Sequence, residues 1–151
     1  MIDQGQPAPL LTVVATDGKR IDLAAPGGPT VLYFYPKDDT SGCTREAQDF
    51  TALASDFAAA GATVIGVSRD SQQKHAKFIA KYELTVPLAT DDGALSEAFG
   101  TWVEKSMYGR NYMGMERATF LIGADGTVLR AWRKVKVPGH AAAVLEAVQE
   151  A

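Results

Sequence analysis

The stretch VLYFYPKDDTSGCTREAQDF, residues 31–50, constrains this chain more than any other. It opens on Val31-Leu32-Tyr33-Phe34-Tyr35, an apolar and aromatic run that predicts a buried strand. Pro36 has no backbone N–H, so sheet pairing is expected to stop there. Residues 37–42 form a polar segment rich in turn formers. Cys43 follows, and it is the only cysteine of the chain. Beyond Thr44, Phe50, Leu53, Phe57 and Ala60 recur at helical spacing, and Gly61 is a natural stop. The lone thiol therefore falls where a loop enters a helix, among free N–H groups and the positive end of the helix dipole. That setting favours thiolate over thiol. Free cysteines often do no more than pack, but a junction flanked by Lys, Asp, Thr and Ser is no apolar interior.

A chain of 151 residues fits one domain, and a domain of this size buries roughly 70% of its unfolded surface. Apolar residues at 46% and charged residues at 22% are ordinary globular values. A net charge of −3 gives no reason to expect nucleic-acid or anionic-membrane binding. The densest basic group, Arg130, Arg133, Lys134 and Lys136, reads as a solvated strand end. The N-terminal residues show neither a basic n-region nor an apolar h-region, and no apolar run approaches the roughly 20 residues of a membrane helix. A soluble cytoplasmic protein is the expectation. A single cysteine excludes an internal disulfide or a multi-cysteine metal cluster, and no cofactor is implied.

Elsewhere the pattern alternates between strands and helices. Leu11–Val14 and Arg20–Leu23 predict short strands around the turn pair Asp17-Gly18. Thr63–Val67 predicts a second buried strand, followed by a helix that Ser71 caps. His75, Phe78, Ile79 and Tyr82 share a face of that helix, so His75 reads as a half-buried, satisfied histidine without a second metal ligand in view. Pro87–Ala89 suggests a short strand, and Asp91 or Asp92 caps a helix that stops at Gly100. Residues 101–116, with Met107, Tyr108, Tyr112 and Met113, read as a long irregular region, functional or mobile. Arg117–Ile122 and Thr127–Trp132 predict a hairpin. A final helix begins near Gly139, with His140 exposed at its start. Strands alternating with helices and closing in a hairpin give an α/β fold with a mixed sheet flanked by helices.

The arrangement of Pro36, Thr40 and Cys43, followed by Thr44 and Glu46, resembles the active-site loop of peroxiredoxins. YFYPKDDTSGCTREA is most similar to the peroxiredoxin Q, or bacterioferritin-comigratory-protein, branch. The resemblance spans nearly the whole chain and implies a thioredoxin-like fold with an N-terminal β-hairpin extension. It implies thiol-dependent reduction of hydrogen peroxide and organic hydroperoxides, with Cys43 as the peroxidatic nucleophile. Cysteine suits that reaction because the thiolate is nucleophilic and its first oxidation product, sulfenic acid, is reversible. Donors must also lie where the O–O bond polarises. Thr40 can bring a hydroxyl toward the sulfur or a bound peroxide oxygen, and Pro36 would shield the thiolate from water. The segment 114–120, GMERATF, resembles the family segment whose arginine contacts the sulfur. Carried over, Arg117 would hold the thiolate and Glu46 would orient its guanidinium. Lys37 and Arg45, though near in sequence, read as solvated.

The chain departs from many relatives of that branch at two positions. A resolving cysteine commonly stands where this chain has Gln48, or in the following helix near Ile79. An external thiol is then required, whether thioredoxin, glutaredoxin or glutathione, and the residues do not choose among them. The chain is expected as a monomer or weak dimer. Two other classes compete: a peroxide sensor or relay with little turnover, and a cysteine hydrolase pairing Cys43 with His75 or His140. A thioredoxin-type disulfide oxidoreductase is disfavoured by the absence of C-x-x-C.

Overall fold

The computed structural model describes residues 2–151. Three strands come first: β1 (Thr12–Val14), β2 (Arg20–Asp22) and β3 (Thr30–Phe34). Helices α1 (Ser41–Ala52) and α2 (Ala54–Ala59) lead to β4 (Thr63–Ser68), α3 (Gln72–Tyr82), β5 (Leu88–Thr90) and α4 (Ala94–Phe99). The chain continues through β6 (Trp102–Met107), β7 (Arg110–Met115), β8 (Ala118–Ile122) and β9 (Val128–Trp132), and ends in α5 (His140–Glu150). The main sheet has the order β5-β4-β3-β8-β9. β3 pairs parallel with β4 and antiparallel with β8, so the sheet is mixed, as the pattern of the sequence predicts. β1 and β2 form the separate N-terminal hairpin.

β3 is the centre of the sheet, and every residue in it is buried. Because successive strand side chains point to opposite faces, it divides the interior into two cores. Leu32 and Phe34 join Ile65, Val67, Phe120, Phe99 and Val13 on one side. Val31, Tyr33 and Tyr35 join Phe50, Phe57, Phe78, Val144 and Cys43 on the other. The thiol thus lies on the face covered by α1, α2, α3 and α5. Tyr33 reaches over Gly66 on β4, where an added Cβ would fall 2.6 Å from the ring, and stacks on Phe50 with centroids 4.6 Å apart. Only glycine at position 66 leaves room for that ring.

Three expectations need correction. The helix expected from Thr44 to Ala60 is two helices: Leu53 leaves helical geometry (ψ 10°) and its N–H bonds the Phe50 carbonyl, a tighter turn. Residues 101–116 are not irregular, since β6 and β7 pair along their whole length. Their turn holds Tyr108 at φ 52° and Gly109 at φ 77°. Two consecutive left-handed residues make a tight hairpin turn that Asn-Gly usually signals, and tyrosine concealed it. His140 is buried rather than exposed, because α5 turns its first residue inward against Phe50 and Trp132. Among the described residues, no helix is long and apolar enough to cross a membrane.

Candidate active site

The site begins where β3 ends. Pro36 lies exposed just past the strand, and Asp38 turns inward. The Asp38 carboxylate accepts from the Tyr35 hydroxyl at 2.5 Å and lies 2.7 Å from His75 Nδ1. His75 Nε2 is 3.2 Å from the Ala89 carbonyl, which can only accept, so Nε2 carries a hydrogen. The Asp38 N–H donates to Asp70 Oδ2. His75 is thus completely buried, beyond the half-burial expected of it, and fastens the loop to α3 and β5. Asp39 takes the left-handed conformation (φ 58°), and its carboxylate accepts from Lys81 Nζ at 2.8 Å and the Tyr82 hydroxyl at 2.6 Å. The loop before the cysteine is therefore anchored to α3 at two successive residues.

Thr40 is the N-cap residue of α1, with extended backbone and no side-chain cap. Its hydroxyl donates to the Lys37 carbonyl at 2.8 Å, which leaves the oxygen lone pairs facing outward as acceptors. The first intrahelical bond is Thr44 N–H to Thr40 C=O. The N–H groups of Ser41, Gly42 and Cys43 precede it, as the first turn of any helix requires. Cys43, in that first turn, is 2% exposed. Arg117 Nη2 donates to Cys43 Sγ at 3.3 Å, and Nη1 donates to Glu46 Oε1 at 2.7 Å. One guanidinium therefore bridges a sulfur and a carboxylate that stand one helical turn apart. Gly42 makes the approach possible, since a Cβ there would lie 3.2 Å from Nη2.

The surroundings are dry. Burial pushes the Glu46 carboxyl up to about 7 against the opposing pull of Arg117, and its Oε2 has no partner among the described residues. Burial, then the negative charges of Glu46, Cys43 and Asp38, raise the Tyr33 phenol above its ordinary value. Burial, with the charge of Arg117, pushes the His140 imidazole down to about 4, so it is neutral where it meets the Thr119 hydroxyl at 2.7 Å. Lys105, from β6, bonds the Met115 carbonyl and is held below its ordinary value by burial and by Arg117. The hairpin β6–β7 thus borders the site. Arg117 itself is set by its neighbour Glu116, which takes both Nε and Nη2 of Arg133. Arg133 is for that reason a half-buried structural cation and not part of a solvated strand end.

Of the residues singled out in the sequence, Cys43, Glu46 and Arg117 come together. Thr40 shares the turn, with its proton committed to the loop, and Pro36 stands at the surface. Arg45 pairs with Asp49 in the exposed i,i+4 arrangement, away from the sulfur. Neither histidine is available to a cysteine hydrolase: His75 is held by Asp38 and Ala89, and His140 by Thr119. Sequence reasoning missed Gly42, Tyr33 and the Asp38–His75 pair. The glycine could have been noticed as a small residue beside the nucleophile, whereas the other two depend on long-range packing.

The AhpC/TSA family model matches residues 4–131. The chain belongs to that family. Its relatives assign it to the peroxiredoxin Q, or Bcp, branch: it is 54% identical over 120 residues to "Peroxiredoxin Bcp" of Xanthomonas campestris, covering 79% of this chain and 75% of that one. It is 46% identical to "Peroxiredoxin Bcp" of Bacillus subtilis over 99% of this chain and 96% of the other. A mutant of Xanthomonas campestris peroxiredoxin Q superposes with a TM-score of 0.88 at 46% identity, over 99% of both chains. The mixed sheet with its covering helices is the thioredoxin fold of these peroxiredoxins, and the lone Cys43 fits a one-cysteine form.

Proposed function

We propose that this peroxiredoxin is a thiol-dependent peroxidase in which Cys43 is the nucleophile, Arg117, Thr40 and the α1 amides bind the hydroperoxide, Glu46 orients Arg117, and Pro36 shields the thiolate from bulk water. The observation that carries the reading is the Arg117 guanidinium, 3.3 Å from Cys43 Sγ and fixed by Glu46. A solved relative, the Xanthomonas campestris bacterioferritin comigratory protein, is described for its alkyl peroxide reduction activity, and hydrogen peroxide and alkyl hydroperoxides are the substrates we assign here.

The thiolate attacks the terminal oxygen of the hydroperoxide, and an S–O bond forms as the O–O bond breaks. The departing alkoxide or hydroxide takes a proton to become alcohol or water, leaving Cys43 as sulfenic acid. Negative charge moves from sulfur onto the leaving oxygen, and a guanidinium already touching the sulfur spans both ends of that displacement. The Thr40 hydroxyl proton is committed to Lys37, so its oxygen accepts from the hydroperoxide O–H and aligns it. Since Cys43 is the only cysteine, an external thiol must close the cycle. We place the protein in a thiol-rich compartment such as the cytoplasm, acting as one domain and as a monomer or weak dimer.

The test is mass spectrometry after one equivalent of peroxide, with and without glutathione. The parent should gain one oxygen at Cys43, or a glutathione adduct when the thiol is present, and Cys43→Ser should do neither while melting normally. Peroxide consumption by a folded Cys43→Ser variant at the parent rate would overturn the assignment.

A further inference from the structure

Beside the nucleophile's loop lies a cavity of about 370 Å³ that the peroxidase chemistry leaves unused. One wall is that loop, residues 37–39, and the other is α3, which contributes Lys74, Lys77, Phe78 and Lys81 at helical i, i+3, i+4, i+7 spacing. Phe78 is buried and forms an apolar floor. Lys81 is occupied by Asp39 at 2.8 Å. Lys37, Lys74 and Lys77 have no carboxylate partner among the described residues. Asp70, also in the wall, receives Ser68 and the Asp38 N–H on Oδ2, and its Oδ1 has no hydrogen-bond partner among the described residues. A chain of net charge −3 thus presents three free ammonium groups and one free carboxylate oxygen next to its reactive loop.

Resting on the peroxidase reading, we propose that this cavity is the docking site of the resolving thiol, and that the thiol is a small anionic peptide thiol of the glutathione type. Glutathione carries two carboxylates and one ammonium around a central thiol, the inverse of the pattern on the walls. Lys74 and Lys77 take its carboxylates with Lys37, Asp70 Oδ1 takes its ammonium, and Phe78 and the lysine stems cover its backbone. The loop forming the wall runs directly into Thr40 and the first turn of α1, the segment that carries the sulfenic acid. Its thiolate attacks Cys43 sulfur; the S–O bond breaks and hydroxide leaves, taking a proton to become water. A second glutathione thiolate then attacks the glutathione sulfur of the mixed disulfide, giving oxidised glutathione and free Cys43 thiolate. Each cycle converts one hydroperoxide and two thiols into alcohol, water and one disulfide.

The experiment measures how fast preformed Cys43 sulfenic acid is reduced by glutathione and by its diethyl ester, each rate taken per thiolate. The ester keeps the thiol and loses both carboxylates. The parent should prefer glutathione by about tenfold at low salt, a ratio that shrinks as ionic strength rises. Lys74→Glu/Lys77→Glu, two exposed positions, should bring the ratio to one or below it. A parent ratio near one, or a ratio that survives the double substitution, would overturn the docking site. So would reduction by a thioredoxin that depends on these lysines when glutathione does not. Failure of the peroxidase reading is separately visible, because no sulfenic acid would then form with peroxide and no thiol, dithiothreitol included, would support turnover.

Discussion

Gly42→Ala separates the stability of α1 from the chemistry at its first turn. Gly42 has an ordinary helical backbone, since its φ is not positive, so alanine is conformationally acceptable there. By helix propensity the change should stabilise the fold by up to about 1 kcal/mol, less in a first turn. The new methyl, however, would sit 3.2 Å from Arg117 Nη2 and 3.9 Å from Cζ. The guanidinium must retreat by a few tenths of an ångström from a sulfur it now contacts at 3.3 Å. It cannot simply swing aside, because Nη1 is tied to buried Glu46 at 2.7 Å. A hydrogen bond to a charged group is worth roughly 1.5–3 kcal/mol; losing about half of it slows the attack step on the order of five- to tenfold. Stopped-flow peroxide consumption and thermal melting should therefore move in opposite senses, with a slower reaction and an equal or higher Tm. An unchanged attack rate in a folded Gly42→Ala protein would show that the Arg117–Cys43 contact does not govern the reaction.

Arg117→Ala should slow attack far more than Lys37→Ala, since Lys37 is exposed whereas Arg117 donates to the sulfur; equal effects in rapid-mixing assays would refute the role given to Arg117. Glu46 has its folded pKa raised to about 7 by burial, so its contribution to stability is complete below its unfolded value and is lost as pH rises to 7. From about pH 4 to 7 stability should therefore fall by about 3 kcal/mol, and Glu46→Gln should flatten this part of the denaturant-midpoint profile. Gly66→Ala should cost about 1–3 kcal/mol by forcing Tyr33 off the sheet, read as a lower urea midpoint. His75→Ala removes the buried imidazole that bonds Asp38 and the Ala89 carbonyl and should cost about 1–3 kcal/mol. His75→Asn should recover part of that loss, and equal melting of the two variants would refute the anchoring role.

How far the sequence spoke for this structure depended on whether a feature was local. The strand–loop–helix around Cys43 carries its signals within twenty residues: an aromatic run, a proline, turn formers, then helical spacing. The cap at Ser71 was likewise readable, and its side chain accepts from Lys74 N–H; the cap expected at Asp91 or Asp92 is instead Gly93, with Asp92 accepting from Ala94 and Asp91 from Leu95 and Ser96 around it. The β6–β7 hairpin was not, because Tyr108 takes a left-handed conformation that glycine or asparagine ordinarily advertises. The burial of His140 was hidden for another reason. A polar residue at a helix start is usually solvated, and only the neighbouring Thr119, Phe50 and Trp132 make the interior position acceptable.

The same distinction explains why the site needed more than its motif. Cys43 and Glu46 fall on one side of α1 by helical spacing, but nothing in that spacing supplies a cation. Arg117 arrives from 74 positions away because β8 pairs antiparallel with β3, aligning Ala118 with Phe34. The end of β3, where the chain leaves the sheet for the thiol loop, is therefore beside the start of β8, where Arg117 stands. The antiparallel register thus sets the distance between nucleophile and cation. A one-residue slip would carry Arg117 about 3.3 Å along the strand and turn it to the opposite face, toward Phe99 and Met115 and away from the sulfur. The completely buried pairing of Phe34 with Ala118 holds that register, so the core of the sheet and the electrostatics of the site are one constraint.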